Sequence, residues 1–227
     1  MIFTYKDITY SLTQTNRKTL SIYVEPDGSV TVRAPKNVDL DKINSIVNLK
    51  RPWIYRSIAE LEELNRTKAH RSVVNGEGYL YMGKSYRLKI EKGLRQALSL
   101  NQGFFMLDES QTHKAKQHFI KFYKEKGRKH ITERVNFFRR KLGVEPKPVR
   151  IMELGKRWAS RSKTGLNFHW KVMLAPMSII DYIIVHELAH LRREDHRPQF
   201  WEIVESVIPN YAEKMNWLRE NGANLDI

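Results

Sequence analysis

Apolar and polar residues alternate with period two early in the chain and shift to helical spacing soon after. Ile8 to Leu12, Leu20 to Val24 and Val30 to Ala34 are rich in β-formers, with the turn residues Pro26-Asp27-Gly28 between the last two, so a β-hairpin is predicted there. Between Asp39 and Leu64, Ile43, Ile46, Val47, Trp53, Ile54, Ile58, Leu61 and Leu64 follow helical spacing, and Pro52 is expected to kink or divide that helix. Trp53 and Tyr55 could belong to a binding face, but aromatics inside such a pattern usually face a core, and they are assigned there. Asn65 to Gly78 is polar and reads as a loop. Strands are then predicted at Tyr79 to Met82, Ser85 to Ile90, Ala97 to Leu100 and Phe104 to Leu107, with Gly83 and Gly103 in the turns.

From Thr112 to Lys141 the period is helical again. Phe119, Phe122, Tyr123, Ile131, Val135, Phe138 and Leu142 form one apolar stripe, and Gly127 is a candidate kink. Val149 to Leu154 and Leu166 to Met173 read as strands. A largely apolar helix follows, running from Ile179 through Val185 into His186. Ser178 with Asp181 makes a candidate capping box at its start. No internal sequence repeat is visible. The predicted class is α+β, with an N-terminal β-rich α+β module over 1–110, whose role the sequence does not disclose, and a second domain over 111–227. The boundary is placed near Glu109 to His113.

Composition narrows the choices of chemistry. The 227 residues contain no cysteine, which excludes disulfides and thiolate metal ligands and suits a reducing, cytoplasmic setting. Met1 to Tyr10 has no basic segment followed by an apolar one, and no apolar run approaches membrane-spanning length, so no membrane partner is expected. Net charge is +15. The 112–141 helix carries eleven Lys or Arg against Glu125 and Glu133. A face of that density attracts polyanions, making nucleic acid, held by phosphate contacts, a candidate partner; the plainer reading is a solvated basic surface.

The chemistry concentrates in His186-Glu187-Leu188-Ala189-His190, followed by His196 and Phe200-Trp201. Two imidazoles four residues apart on a helix share a face about 6 Å apart along the axis, so both can address one metal ion. Zinc held by neutral imidazoles acidifies water, and a neighbouring carboxylate can take the proton, as in a hydrolase. On an unbroken helix His196 would lie about 9 Å beyond His190 and on another face. The helix must therefore end first, with Arg192 to Asp195 as its exit and Pro198 in the first turn of the next helix. His196 is the expected third ligand, with Glu202 and Glu205 as competitors.

Arg157-Trp158-Ala159-Ser160, Leu166-Asn167-Phe168-His169-Trp170, Leu174-Ala175-Pro176, Asp181-Tyr182, His186 to Leu191, His196, Phe200-Trp201 and Pro209 together resemble the YgjP-like, SprT-like metallopeptidases. The resemblance spans the C-terminal half in order and the N-terminal half more diffusely. It implies a zincin-like fold, Zn2+ on His186, His190 and His196, and Glu187 as catalytic base. Related SprT-like proteases act on proteins crosslinked to DNA, so a link to DNA is implied as well. The family's usual R-W-G-S-C-S reads Arg157-Trp158-Ala159-Ser160-Arg161-Ser162 here, and its usual Asn-Trp reads His169-Trp170. These changes bear on the strand that would meet substrate and leave the ligand set intact.

The expected activity is zinc-dependent hydrolysis of peptide bonds in a protein or peptide substrate, with an extended substrate adding to a sheet edge. Arg157, His169 and Tyr211 are candidate substrate or transition-state contacts. For His169 a surface position on a strand is the plainer reading. Trp158, Trp170, Phe200 and Trp201 are assigned to packing around the site, and Met215 to the core or beneath the zinc. The alternatives are a nucleic-acid-associated binding protein with a structural metal, and a metal-dependent hydrolase of a non-peptide amide. Three well-spaced ligands favour an open, catalytic position over a closed structural one.

Overall fold

Two four-stranded sheets of identical strand order, each followed by a long helix, account for the first two-thirds of the chain. The computed structural model describes all residues except 26–27, 67–70, 156 and 163, together with the side chains of 60–66. Thus Pro26 and Asp27 of the predicted turn, and the side chains of Leu61 and Leu64, lie outside the described residues. The chain forms two compact units, Met1–Lys68 and Ala69–Ile227.

In the first unit, β1 (Ile2–Tyr5), β2 (Ile8–Thr15), β3 (Ser21–Val24) and β4 (Val30–Pro35) form a sheet of order β1-β2-β4-β3. The predicted hairpin is present as the antiparallel β3–β4 pair, and β2 runs parallel to β4. The helix α1 (Leu40–Arg66) continues through Pro52 as one element, so the expected division does not occur. Ile43, Val47 and Ile54 pack with Ile8, Tyr10, Val30 and Val32 in this unit's core. Trp53 and Tyr55 are 45% and 43% exposed, which corrects their assignment to the core: the buried stripe of α1 is narrower than its apolar pattern.

The second unit repeats the sheet with β5 (Gly78–Tyr81), β6 (Lys84–Glu91), β7 (Leu98–Asn101) and β8 (Phe104–Asp108), in the order β5-β6-β8-β7. Its outer pairs are antiparallel and its central pair parallel, as in the first sheet. The repeat is one of topology, carried by strand pairing rather than by residue identity. The helix α2 (Ala115–Leu142) lays one side on this sheet, where Tyr79, Phe105, Phe119 and Tyr123 interlock edge-to-face and stacked. All seven apolar positions predicted for α2 are buried. Gly127 does not break the helix; a Cβ there would sit 3.1 Å from Met173 Cγ, so the glycine permits close packing. This continuous core explains why the chain divides at 68/69 and not at 109–113: the β5–β8 sheet buries its aromatics against α2 and belongs with it.

On its other side α2 meets the elements that carry the candidate chemistry. A three-stranded sheet of order β10-β11-β9 is formed by β9 (Val149–Met152), β10 (Ala159–Ser162) and β11 (Gly165–His169). The predicted strand through Met173 stops at His169, and Trp170–Leu174 is a 3-10 turn. The helix α3 (Met177–Ala189) packs on α2, and α4 (Pro198–Glu205) and α5 (Tyr211–Asn221) pack on α3. The capping box is not formed: Pro176 is the N-cap residue, with no side-chain cap bond. Asp181 instead accepts both guanidinium donors of Arg134 at 2.7 Å, pinning α3 to α2. The β5–β6 hairpin supports the same helix start, since Met82 and Gly83 donate backbone N–H groups to Met173 and Leu174.

Candidate metal centre

His186 and His190 lie on the last turns of α3, in a helix whose flanking residues Ile183, Ile184, Val185, Leu188 and Ala189 are buried. Hydrophobic burial therefore fixes the helix, and the histidines are the polar positions at its open end. The helix closes at His190, which keeps right-handed dihedrals (φ −63°, ψ −16°) and donates its N–H to His186 O at 3.3 Å. Leu191 and Arg192 bond back to Leu188 and Ala189, and the chain returns to begin α4 with Pro198 at its first position. His196 is brought back to the first two histidines, as the spacing argument required.

One ring nitrogen from each of His186, His190 and His196 falls within 4.8 Å of the others. His186 Nε2 and His196 Nε2 are 3.1 Å apart. Two nitrogens held about 2.0–2.1 Å from one tetrahedral ion would be separated by roughly 3.3 Å, close to the distance found. His190 Nδ1 faces Arg193 O at 3.1 Å, so its N–H sits on that nitrogen and the Nε2 lone pair is free to face the cluster. Burial and the two neighbouring imidazoles push His186 down to about 3, and burial likewise lowers His190. Neutral imidazoles with converging lone pairs suit a divalent cation of the zinc class. Phe200 packs against all three rings, with centroids 4.5 to 5.0 Å away, and Trp201 Nε1 donates to His196 O at 3.1 Å. Glu202 and Glu205 are exposed on α4 and stand outside the cluster, so neither competes with His196.

Glu187 is 9% exposed, and burial raises its carboxyl to about 7, against the lowering influence of Arg161 and then Arg157. A cavity of 270 Å³ opens beside it, lined by Arg157, Trp158, Ala159, Tyr182, Ile183, His186, Glu187 and Leu218. Glu187 and His186 thus share the wall of one cavity. Tyr182, one helical turn before His186, escaped the sequence reading as a cavity residue; its i−4 spacing was the signal available. Leu218 comes from α5 and left no local signal.

The remaining candidates divide. Arg157 lines the cavity. Tyr211 stacks on Trp201 at 5.0 Å and is not among the lining residues. His169 is only 2% exposed, so it is not a surface strand residue; its Nδ1 accepts from Lys171 N at 3.1 Å, and Nε2 lies 2.8 Å from Glu153 Oε1. It is thereby removed from the cavity. Trp170 stacks on Tyr123 and donates to Glu153, so it braces the 3-10 turn. Met215 is 42% exposed and is therefore not a core residue.

The YgjP-like, metallopeptidase domain family matches residues 18–221. Among solved structures, the metallopeptidase zymogen abylysin of Pyrococcus abyssi is similar at 28% identity and a TM-score of 0.37, over 39% of this chain and 90% of that one. No curated protein matches the chain.

Proposed function

The chain belongs to the YgjP-like metallopeptidase family, and from that premise we propose that its Ala69–Ile227 unit is a zincin-like, zinc-dependent peptidase. The observation that carries this reading is the convergence of three imidazoles, with the buried Glu187 next to His186 in sequence. His186, His190 and His196 would hold the ion. Among the described residues no fourth His, Cys, Asp or Glu joins the group, which supports an open coordination position over a closed structural site.

When bound, zinc supplies a Lewis acid that acidifies water and polarises a carbonyl. Glu187 takes the proton of the attacking water and delivers it to the leaving amine, a role suited to a carboxyl whose pKa burial has brought near neutrality. Arg157, at the cavity wall, is the candidate donor to charge developing on the carbonyl oxygen. β10 is an edge strand, so an extended peptide can add to it through backbone hydrogen bonds with little demand on side chains. The exposed basic residues of α2, Lys116, Lys121, Lys126, Arg128, Lys129, Arg140 and Lys141, with Lys114 just before it, support association with a polyanion and hence action on DNA-associated proteins. Among the described residues no helix is long and apolar enough to cross a membrane.

Glu187→Gln tests the assignment. The expected result is zinc content near that of the parent protein with proteolysis abolished. Zinc lost together with activity would reject Glu187 as the base.

A further inference from the structure

The return of His196 to the other histidines poses a physical problem that the backbone does not solve unaided. Reversing a chain within a few residues of a helix end usually uses a left-handed residue, most often glycine. None of the residues from His190 to His196 has a positive φ. Backbone N–H groups of Leu191, Arg192 and Arg193 bond back to Leu188 and Ala189 and close the helix, and side chains tie the turn beyond them. Arg161, reaching over from β10, donates Nη1 to His190 O at 2.6 Å and Nη2 to Glu194 Oε1 at 3.0 Å. One guanidinium thus joins the last helical carbonyl to the far arm of the turn. The position also places a cation at the helix C-terminus, where its unpaired carbonyls favour positive charge. The other bonds of the segment are local by comparison, among them Arg193 N to Ala189 O, His190 to Arg193, Asp195 to Arg197 and Trp201 to His196.

We propose that Arg161 is a positioning residue for the metal centre: its fork holds the turn 190–194 so that His196 meets His186 and His190. This rests on the reading that the three histidines bind metal. The planar fork addresses both acceptors in one fixed geometry, which an ammonium reproduces only in part. The Glu194 side chain is 87% exposed and that of Arg161 34%, so the ion pair adds little to global stability and its effect falls on local geometry.

The experiment is zinc affinity by chelator competition, and the visible spectrum of the Co(II) form, for the parent protein, Arg161→Met, Arg161→Lys and each substitution combined with His196→Ala. Arg161→Met is expected to weaken zinc binding by about 10- to 100-fold and to alter the Co(II) spectrum, while leaving the melting temperature of the metal-free protein unchanged. Arg161→Lys should recover part of the loss. In the His196→Ala background, Arg161→Met should change affinity by less than about twofold, since the turn no longer delivers a ligand. Parent-like affinity in Arg161→Met, or an equal loss in both backgrounds, would overturn the proposal while leaving the metal reading intact. Failure of the parent protein to bind zinc or cobalt would overturn both.

Discussion

Replacing Glu187 by Gln should stabilise the metal-free protein at alkaline pH and leave it unchanged at acid pH. The carboxyl is 9% exposed, and burial lifts it from the ordinary 4.5 to about 7. At about 1.4 kcal/mol per pH unit, keeping this group ionised inside the fold costs about 3 kcal/mol. The sign follows from proton linkage. Between 4.5 and 7 the folded state binds more protons at this site than the unfolded state, so stability contributed here is complete below 4.5 and is lost as pH rises through 7. Gln mimics the neutral acid and carries no such loss. The assay is thermal denaturation of chelator-treated parent and variant at pH 4.5 and pH 8. In a unit of this size each kcal/mol moves the midpoint by about 2–4 °C, so a gain of roughly 6–12 °C is expected at pH 8 and almost none at pH 4.5. An equal gain at both values would mean that ionisation is not the cause. A loss at pH 8 would mean that the carboxylate is held by favourable contacts and not penalised by burial.

Gly83→Ala should destabilise the Ala69–Ile227 unit by about 1–3 kcal/mol, because Gly83 has φ +77° and the new Cβ would lie 2.8 Å from Pro176 Cα; an unchanged midpoint in urea denaturation would refute the docking of the β5–β6 hairpin on the start of α3. Titration of duplex and single-stranded DNA across salt should show binding that weakens steeply as salt rises and a shallower slope after Lys126, Arg128 and Lys129 are changed to Gln; no binding even at low salt would remove the polyanion reading of α2.

What the sequence disclosed was what helices encode locally. The α2 stripe and the i, i+4 pair His186 and His190 depend only on helical period, and both are found as expected. Features set by distant residues stayed hidden. Asp181 looks like a capping residue within its own heptad, yet it is taken by Arg134, 47 positions earlier, and a bidentate charged pair outcompetes a cap. β10 was not foreseen because Ala159 to Ser162 is a short edge strand with no apolar alternation, its pairing supplied by β11. The shared order of the two four-stranded sheets leaves no trace in residue identity for a related reason: pairing is specified by which face is buried, and many sequences bury the same face.

The site itself shows how these two levels meet. The motif places two imidazoles and a carboxylate on one helix, but the chemistry of that carboxylate comes from its burial, and the third imidazole arrives only because the chain turns back. The cavity beside the carboxylate is walled by Leu218 of α5 and by Trp158 and Ala159 at the start of β10. The return is held by Arg161 from β10 itself. One edge strand therefore borders the cavity, clamps the ligand turn and offers the open edge on which an extended peptide could lie. A substitution there can alter metal affinity, proton transfer and substrate approach together. Separating those effects requires measuring metal binding independently of turnover, since a fall in activity alone would be common to all three.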